Sequence, residues 1–335
     1  MILYLGNNIK SSTTSVTTIT TLSELLKKEG FNVKIRSSLN IQFFRLLSML
    51  WTIFKHRNQI DYVLIDTYST RNFYYALFSS QLCRLLQLKY LPILHGGNLP
   101  KRLDNSTMLS RLIFSKSHHN ITPSIYLKAE FKKRDYKTVF IPNVLEIRNY
   151  TFLERKIENP KLLYVRAFDK IYNPEMAIKV LNILLKTFPE ALLCMIGPEK
   201  DSSFKSCKAL VKSLQIENHV EFTGMLSKRQ WHKKSEDFNI FINTTNFDNA
   251  PVSVMEAMAL GLPIVSTNVG GMPYLITDKK DGLLVDKNDA DEMVNAVKYL
   301  INNQGFAKQI TVNARYKAEQ FDWEKVKKLW FNVLG

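Results

Sequence analysis

The feature that most constrains this chain is a repeated alternation of short apolar segments with longer amphipathic ones. In the first half, apolar runs such as MILYLG, DYVLIDT and YLPILHG are separated by helix-like segments such as SVTTITTLSELLKKEG and RNFYYALFSSQLCRLLQL. Continuous apolar strands between helices are typical of a parallel sheet that is covered by helices on both faces. The alternation therefore predicts an α/β fold.

The alternation is interrupted by the polar stretch IPNVLEIRNYTFLERKIENP and then restarts with KLLYVRAF. A chain of 335 residues is long for one core. We predict a first domain over residues 1–145, a linker or hinge over 146–160 and a second domain over 161–312. The last segment, 313–335, is predicted to be helical, with a break near 321–323, and to pack back on the first domain. Two doubly wound domains would face each other across a cleft, where ligands bind at the carboxyl ends of strands.

The charge is concentrated in the first half of the chain. The net charge is +16, and residues 1–150 carry 21 Lys and Arg against 8 Asp and Glu. Such a one-sided basic surface predicts an anionic partner, and we expect an anionic membrane surface. Nucleic acid is not expected as a partner, because no nucleic-acid-binding module is visible.

The three cysteines, Cys83, Cys194 and Cys207, are scattered along the chain and have no metal-ligand or disulfide spacing. This usage favours a reducing cytoplasm. The N-terminus enters an apolar strand without a basic leader, so no cleavable signal is visible. We expect a cytoplasmic protein that is peripheral on the inner face of the plasma membrane.

One apolar segment, FFRLLSMLWTIF, is shorter than the roughly 20 residues that span a bilayer and is interrupted by Arg45. Two interpretations stay open for it. It is a buried helix with a basic end, or it rests on a membrane interface through Trp51, Phe54, Lys55 and Arg57. The basic run over residues 128–137 is a second candidate for membrane contact and is equally typical of a solvated helix face.

The most informative stretch is FDNAPVSVMEAMALGLPIVSTNVGG, residues 247–271. It predicts a loop, a helix that begins after Pro251, and a paired glycine. The free amides of a helix N-terminus favour an anion such as a diphosphate. Asp248 and Glu256 stand on either side of this helix start. A structural alternative is that Ser253 and Glu256 form a capping box and that Asp248 or Asn249 is a plain helix cap.

This stretch resembles the nucleotide-sugar-binding segment of family 4 glycosyltransferases, which carry Glu-x7-Glu, then A-x-A-x-G-x-P-V and a Gly-Gly turn. Asp248 stands where the first Glu is usual. The resemblance implies that Glu256 holds the ribose hydroxyls and that Asp248 faces the donor sugar. It also assigns donor contacts to Asn249, Ala250, Pro251, Val252 and Ser253.

A second element, YVRAFDK, places Arg166 and Lys170 after the first strand of the second half. Two fixed cations there would neutralise a leaving nucleoside diphosphate without a metal. The family has a similar pair, usually one residue further apart and followed by Gly, whereas Ile171 follows here. The alternative is a solvated surface pair.

A third element, ILHGGNLP, places His95 at the end of a buried strand, followed by Gly96 and Gly97, which allow close backbone approach. In the family a His at this location contacts the donor sugar; the alternative is a structural histidine. A fourth and weaker match is the loop after the first strand, where Gly6 is followed by Asn7 and Asn8 in place of a glycine-rich sequence.

The resemblance implies the GT-B fold, two Rossmann-like domains with a C-terminal helix that crosses back to the first. It implies a retaining hexosyltransferase that uses a nucleotide diphosphate sugar and needs no metal or other cofactor. The acceptor would be a hydroxyl of a glycan or polyprenyl-linked sugar in cell-surface polysaccharide biosynthesis. Two alternatives stay open: a nucleotide-sugar 2-epimerase, and a non-catalytic protein of this fold that binds membrane or a partner.

Overall fold

The computed structural model describes residues 1–6, 18–36 and 41–335. The chain divides into two compact units. The first is Met1–Val144 together with Trp323–Gly335, and the second is Leu145–Asp322.

The first unit is built on a six-stranded parallel sheet in the order β2-β1-β3-β4-β5-β6. Its strands are β1 (Ile2–Leu5), β2 (Val33–Arg36), β3 (Tyr62–Thr67), β4 (Lys89–Leu94), β5 (Ile121–Thr122) and β6 (Val139–Phe140). Its helices up to residue 144 are α1 (Thr18–Lys28), α2 (Gln42–His56), α3 (Phe73–Leu85), α4 (Leu99–Asn105), α5 (Thr107–Phe114) and α6 (Ile125–Lys132). The short helix α4 and the strand β6 were not predicted.

Both faces of the first sheet are covered, as the continuous apolar strands predicted. Along β1, Leu3 and Leu5 pack into one core with α2, α3 and α5, whereas Ile2 and Tyr4 pack into a second core with α1. Successive side chains of a strand point to opposite faces, so one four-residue strand serves both cores.

The second unit repeats this architecture with a parallel sheet in the order β12-β11-β10-β7-β8-β9. Its strands are β7 (Lys161–Val165), β8 (Leu192–Ile196), β9 (Val220–Gly224), β10 (Ile240–Asn243), β11 (Ile264–Thr267) and β12 (Leu283–Val285). Its helices are α7 (Pro174–Leu185), α8 (Ser203–Ser213), α9 (Lys228–Lys234), α10 (Val252–Ala259), α11 (Met272–Leu275), α12 (Ala290–Asn302) and α13 (Gln304–Ala318). The chain thus has two doubly wound α/β units.

The chain ends in helix α14 (Trp323–Leu334), which belongs to the first unit. Its apolar stripe packs into the core that contains Ile2 and Tyr4, and the Trp323 indole donates a hydrogen bond of 2.9 Å to Glu29. The break that was predicted near 321–323 is a 3₁₀ turn over Glu319–Phe321.

The division between the units falls at different residues from the predicted one. Residues 146–160 and 313–322 both lie in the second unit. The amide of Leu145 donates to the carbonyl of Phe321 at 2.9 Å, and the amide of Ile147 donates to the Asp322 carboxylate at 2.9 Å. These bonds join the two stretches to each other within the second unit.

Among the described residues, no helix is long and apolar enough to cross a membrane.

Candidate functional site

Arg166 stands at the carboxyl end of β7, where its amide donates to the carbonyl of Ile196 at 3.0 Å. Its guanidinium carbon lies 4.3 Å from the centre of the Tyr172 ring. The same guanidinium forms an ion pair with the carboxylate of Asp248, and both side chains are mostly buried. The structure therefore brings together two of the predicted residues, with the planar guanidinium held from two sides.

Lys170 opens a 3₁₀ turn over Lys170–Tyr172 that is tied to its surroundings through the backbone. Its amide donates to the Asp201 carboxylate at 3.0 Å, and its carbonyl accepts from the Asn246 side chain at 3.1 Å. The residue itself is exposed. The turn thus lies beside the loop that follows β10. The ammonium group of Lys170 is available to an anion from solvent.

The loop that carries Asp248 is held in place by the paired glycine, Gly270 and Gly271. The amide of Gly271 donates to the carbonyl of Asp248 at 2.9 Å. A β-carbon on Gly271 would overlap the carbonyl oxygen of Asn249, and one on Gly270 would overlap that of Asp248. Gly270 also has a φ of +53°, which favours glycine. The paired glycine is therefore required for the loop to lie this close.

Helix α10 begins at Val252 with Pro251 as its N-cap and ends before Gly261, which has a φ of +79°. Within the part of the chain that the structure describes, this N-cap makes no side-chain cap hydrogen bond. Asp248 Oδ1 instead accepts from the amide of Asn249, its neighbour, at 2.8 Å. The capping interpretation of Asp248 is therefore wrong.

Ser253 and Glu256 do not form a capping box. The Ser253 hydroxyl is buried without a hydrogen-bond partner among the described residues, and Glu256 is engaged elsewhere. Val252 and Ser253 occupy the first turn of α10, as predicted, and Ala250 lies in the loop before it.

Glu256 is buried on α10, and its Oε1 accepts from two groups. The Tyr150 hydroxyl donates at 2.9 Å, and the Lys228 ammonium lies at 2.7 Å. Burial, with a further contribution from Glu256, raises the pKa of Tyr150 well above its usual range. Burial followed by the nearby Lys228 lowers the pKa of His232, whose ring contacts that of Tyr150, to about 4. Glu256 is thus a buried carboxyl group with fixed donors around it.

Sequence reasoning missed Tyr150, Lys228 and Tyr172. Tyr150 is separated from Glu256 by 106 residues. No spacing in the sequence points to such a pair, because tertiary packing alone brings them together.

In the first unit, His95 Nε2 lies 2.8 Å from Oδ1 of the buried Asp66 at the end of β3. The same Asp66 oxygen accepts from the Tyr4 hydroxyl at 2.9 Å. The His95 ring stacks on Tyr68, with ring centres 5.4 Å apart. The imidazole is therefore oriented by a carboxylate and an aromatic ring, neither of which the sequence identified.

The glycines around this cluster are closely packed. A β-carbon on Gly96 would lie 2.7 Å from the backbone nitrogen of Ser69, and one on Gly6 would overlap the Asp66 carboxylate. Gly97 lies in the turn before α4. Asn7 and Asn8, the remainder of the predicted first loop, lie outside the described residues.

Within residues 1–6, 18–36 and 41–335, no group of three His, Cys, Asp or Glu side chains is arranged to hold a metal ion. The expectation that the reaction needs no metal stays a prediction.

Residues 151–317 match the family described as glycosyl transferases group 1. An uncharacterized glycosyltransferase of Haemophilus influenzae is 29% identical over 61% of this chain and 56% of its own length. The chain thus spans about half the length of that relative, and less than a third of the length of a sulfoquinovosyl transferase of Arabidopsis thaliana and of an uncharacterized glycosyltransferase of Methanocaldococcus jannaschii.

Several solved structures resemble the whole chain. Sucrose-phosphate synthase from Thermosynechococcus elongatus has a TM-score of 0.82 at 16% identity, covering 99% of this chain and 97% of its own. HepE of Anabaena, solved in complex with UDP-glucose, has a TM-score of 0.78 at 15% identity and covers 99% and 98%. These likenesses confirm the GT-B fold class. Residues 151–317 therefore form a domain of the glycosyl transferases group 1 family.

Proposed function

We propose that this protein is a retaining glycosyltransferase that moves a hexose from a nucleotide diphosphate sugar to a hydroxyl of a glycan or polyprenyl-linked acceptor. The observation that carries this proposal is the Arg166–Asp248 ion pair, which lies beside the start of the uncapped helix α10. A guanidinium, a carboxylate and a helix N-terminus in one place match the diphosphate and the sugar hydroxyls of such a donor.

Each group in the second unit has a role in this proposal. Arg166, Lys170 and the start of α10 receive the negative charge of the departing diphosphate. Asp248 accepts hydrogen bonds from donor-sugar hydroxyls, and Glu256 accepts them from the ribose. Because these cations supply the positive charge, the proposed reaction uses no metal and no further cofactor.

The proposed reaction breaks the bond between the anomeric carbon and the diphosphate oxygen, which leaves with the electron pair. The acceptor oxygen bonds to the anomeric carbon on the same face, and its proton passes to the departing phosphate oxygen. Asp248 is not needed as a nucleophile in this scheme, since Arg166 already pairs with it. His95 would contact the donor sugar.

Support for the substrate class comes from the relatives. HepE was solved with UDP-glucose, and a relative in Staphylococcus aureus, 26% identical over 42% of this chain, is named a poly(ribitol-phosphate) alpha-N-acetylglucosaminyltransferase. We therefore propose a role in cell-surface polysaccharide biosynthesis. The basic first half supports a location at the cytoplasmic face of an anionic membrane.

The proposal is tested by titration calorimetry with UDP, GDP, ADP and CDP, followed by NMR of the product formed from the preferred donor. We expect one diphosphate to bind and the product to keep the anomeric configuration of the donor. Arg166→Lys keeps the charge but loses the planar fork, and we expect turnover to fall about 100-fold. An absence of binding to every diphosphate would reject an enzyme that uses such donors.

A further inference from the structure

One layer of the first unit has an unusual outer surface. Helices α2, α3 and α5 pack into the same core on one face of the sheet. Helix α3 lies between the other two, because the Tyr75 hydroxyl donates to the Gln42 carbonyl and the Gln81 amide donates to the Leu112 carbonyl. Their outward surfaces therefore form one continuous face, which we call the α2–α3–α5 face.

This face is apolar where a surface layer is normally polar. On α2, the outward stripe is Phe44, Leu47, Trp51 and Phe54, all exposed. Their spacing of three and four residues places them in one line along the helix. On the opposite side of α2, Met49 and Ile53 are buried in the core, so this helix has apolar residues on two sides where an ordinary surface helix has them on one.

The apolar stripe continues on the neighbouring helices. On α3 the exposed apolar residues are Tyr74, Phe78 and Leu85, and on α5 they are Met108 and Leu112. Leu85 and Met108 are each 79% exposed. Eleven of the 18 large hydrophobic residues that are exposed in the described part of the chain belong to this face or directly precede it. Contiguous apolar surface of this kind marks an interaction site.

The charge of the face has one sign. Helices α2, α3 and α5 contain no Asp or Glu. Residues 41–116 hold ten Lys and Arg but three acids. Asp61 pairs with the N-terminal amine, Asp66 with His95, and Asp104 with Arg134. Positive charges therefore exceed negative charges by seven in this segment, ten against three.

Aromatic rings and cations meet at the C-terminal end of α2. The Trp51 and Phe54 rings lie 6.2 Å apart, and the Arg57 guanidinium carbon lies 4.6 Å from the centre of the Phe54 ring. Aromatic side chains are favoured at headgroup level, where one end meets apolar and the other polar surroundings. A neighbouring arginine adds attraction to lipid phosphate.

We propose that the α2–α3–α5 face is the surface by which this protein lies on an anionic lipid bilayer, with Trp51, Phe54 and Phe78 inserted at the interface. The inference rests on the proposed membrane location and names the face responsible. An anionic bilayer presents a hydrocarbon layer beneath a wide surface of negative charge. The α2–α3–α5 face complements it with exposed apolar side chains and positive charge. A protein surface usually mixes both signs of charge.

Trp51 provides a direct readout. It is 63% exposed, whereas Trp231, Trp323 and Trp330 are 3–5% exposed. Only Trp51 among the four can respond strongly when the protein meets lipid. With vesicles that contain about 30% phosphatidylglycerol we expect a blue shift and quenching by brominated acyl chains. Trp51→Phe should remove both signals and still float with the vesicles.

Flotation of the full chain tests the face itself. Trp51→Glu with Phe78→Glu should lower the partition coefficient at least tenfold, because charge is placed where hydrocarbon contact is needed. The matched control is Tyr299→Glu with Tyr316→Glu, which changes two exposed aromatic residues of the second unit and should float like the parent chain. Pure phosphatidylcholine vesicles should capture less protein, and high salt should weaken capture.

Three outcomes would overturn the inference. One is unchanged flotation of the Trp51 and Phe78 double variant. Another is a Trp51 signal that does not respond to lipid. The third is a lipid-free dimer, seen by ultracentrifugation, that the double variant abolishes, since a second copy would then cover this face. Lost flotation with intact binding of nucleoside diphosphate rejects this inference alone, whereas intact flotation without that binding rejects the proposed function alone.

Discussion

The carboxylate of Glu256 lies 2.9 Å from the hydroxyl of Tyr150, although the two residues are 106 positions apart. Lys228 approaches the same oxygen at 2.7 Å, so this buried carboxyl group is held in a fixed direction. A carboxylate with its position already set loses little freedom when it accepts hydrogen bonds from a ribose.

The first prediction concerns this acid. Glu256→Gln keeps its size but removes the charge, and we expect nucleoside diphosphate to bind about tenfold more weakly, as calorimetry would measure. The control is Glu221→Gln, which breaks a more exposed pair with Lys234 in the same unit. Equal affinity of the Glu256 variant and the parent chain would show that this carboxylate does not contact the nucleotide.

The second prediction concerns the length of the acid at position 248. Asp248→Glu adds one methylene between the backbone and a carboxylate that now pairs with Arg166. We expect relative kcat/KM for different sugar donors to change about tenfold or more, because the carboxylate would meet different sugar hydroxyls. Competition between UDP-sugars that share a base measures this. An unchanged order and ratio of donors would exclude Asp248 as a sugar contact.

The third prediction concerns the paired glycine. Gly271→Ala places a methyl group on the carbonyl of Asn249, so the loop must move. We expect a loss of about 1–3 kcal/mol in the free energy of unfolding, with weaker donor binding. Gly305→Ala is the matched control: nothing lies within 4 Å of its β-carbon, and it stands in the first turn of α13. That control should be neutral or slightly stabilising, by up to about 1 kcal/mol. Urea unfolding measures both, and equal stability of the two variants would contradict the packing argument.

The fourth prediction concerns the carboxylate beside His95. Asp66→Asn keeps the shape of the side chain but weakens its hold on the imidazole, and we expect kcat to fall about tenfold. We also expect affinity for the nucleoside diphosphate to be unchanged. Tyr4→Phe removes the other bond to Asp66 and serves as the control for a purely structural effect. If both variants lower stability alike and neither changes kcat, Asp66 is structural only.

The fifth prediction concerns acid stability. Burial lowers the pKa of His232 to about 4, below its ordinary value of about 6.5. Between these values the unfolded chain binds a proton that the folded chain does not, so this stabilising contribution is lost as pH falls from 6.5 towards 4. Allowing for partial solvent screening, we expect a loss of about 1–2 kcal/mol.

Urea unfolding at pH 7, 6, 5 and 4.5 would measure this loss, and His232→Gln should flatten the dependence over that range. An equally steep dependence in the variant would assign the effect to other groups.

Local sequence predicted the elements that depend on short-range periodicity. The apolar runs became the strands of two parallel sheets, and the segment after Pro251 became helix α10 with Gly261 beyond its end. The short helix α4 escaped prediction because its seven residues begin at Leu99, two positions after Gly97, without an apolar period of their own. The spacing of Ser253 and Glu256 is typical of a capping box, but in the folded chain Glu256 contacts Tyr150 and Lys228 instead.

By itself, the sequence determined the alternation of strands and helices, the two-unit α/β architecture and the order of the residues around α10, since each depends on neighbours within a few positions. Tertiary structure alone decided that Asp248 pairs with Arg166, that Glu256 meets Tyr150 and Lys228, and that Asp66 orients His95. It also decided that α2, α3 and α5 present a shared apolar surface. The reason is physical: a hydrogen bond or an ion pair requires two groups within about 3 Å, and separation along the chain does not report that distance.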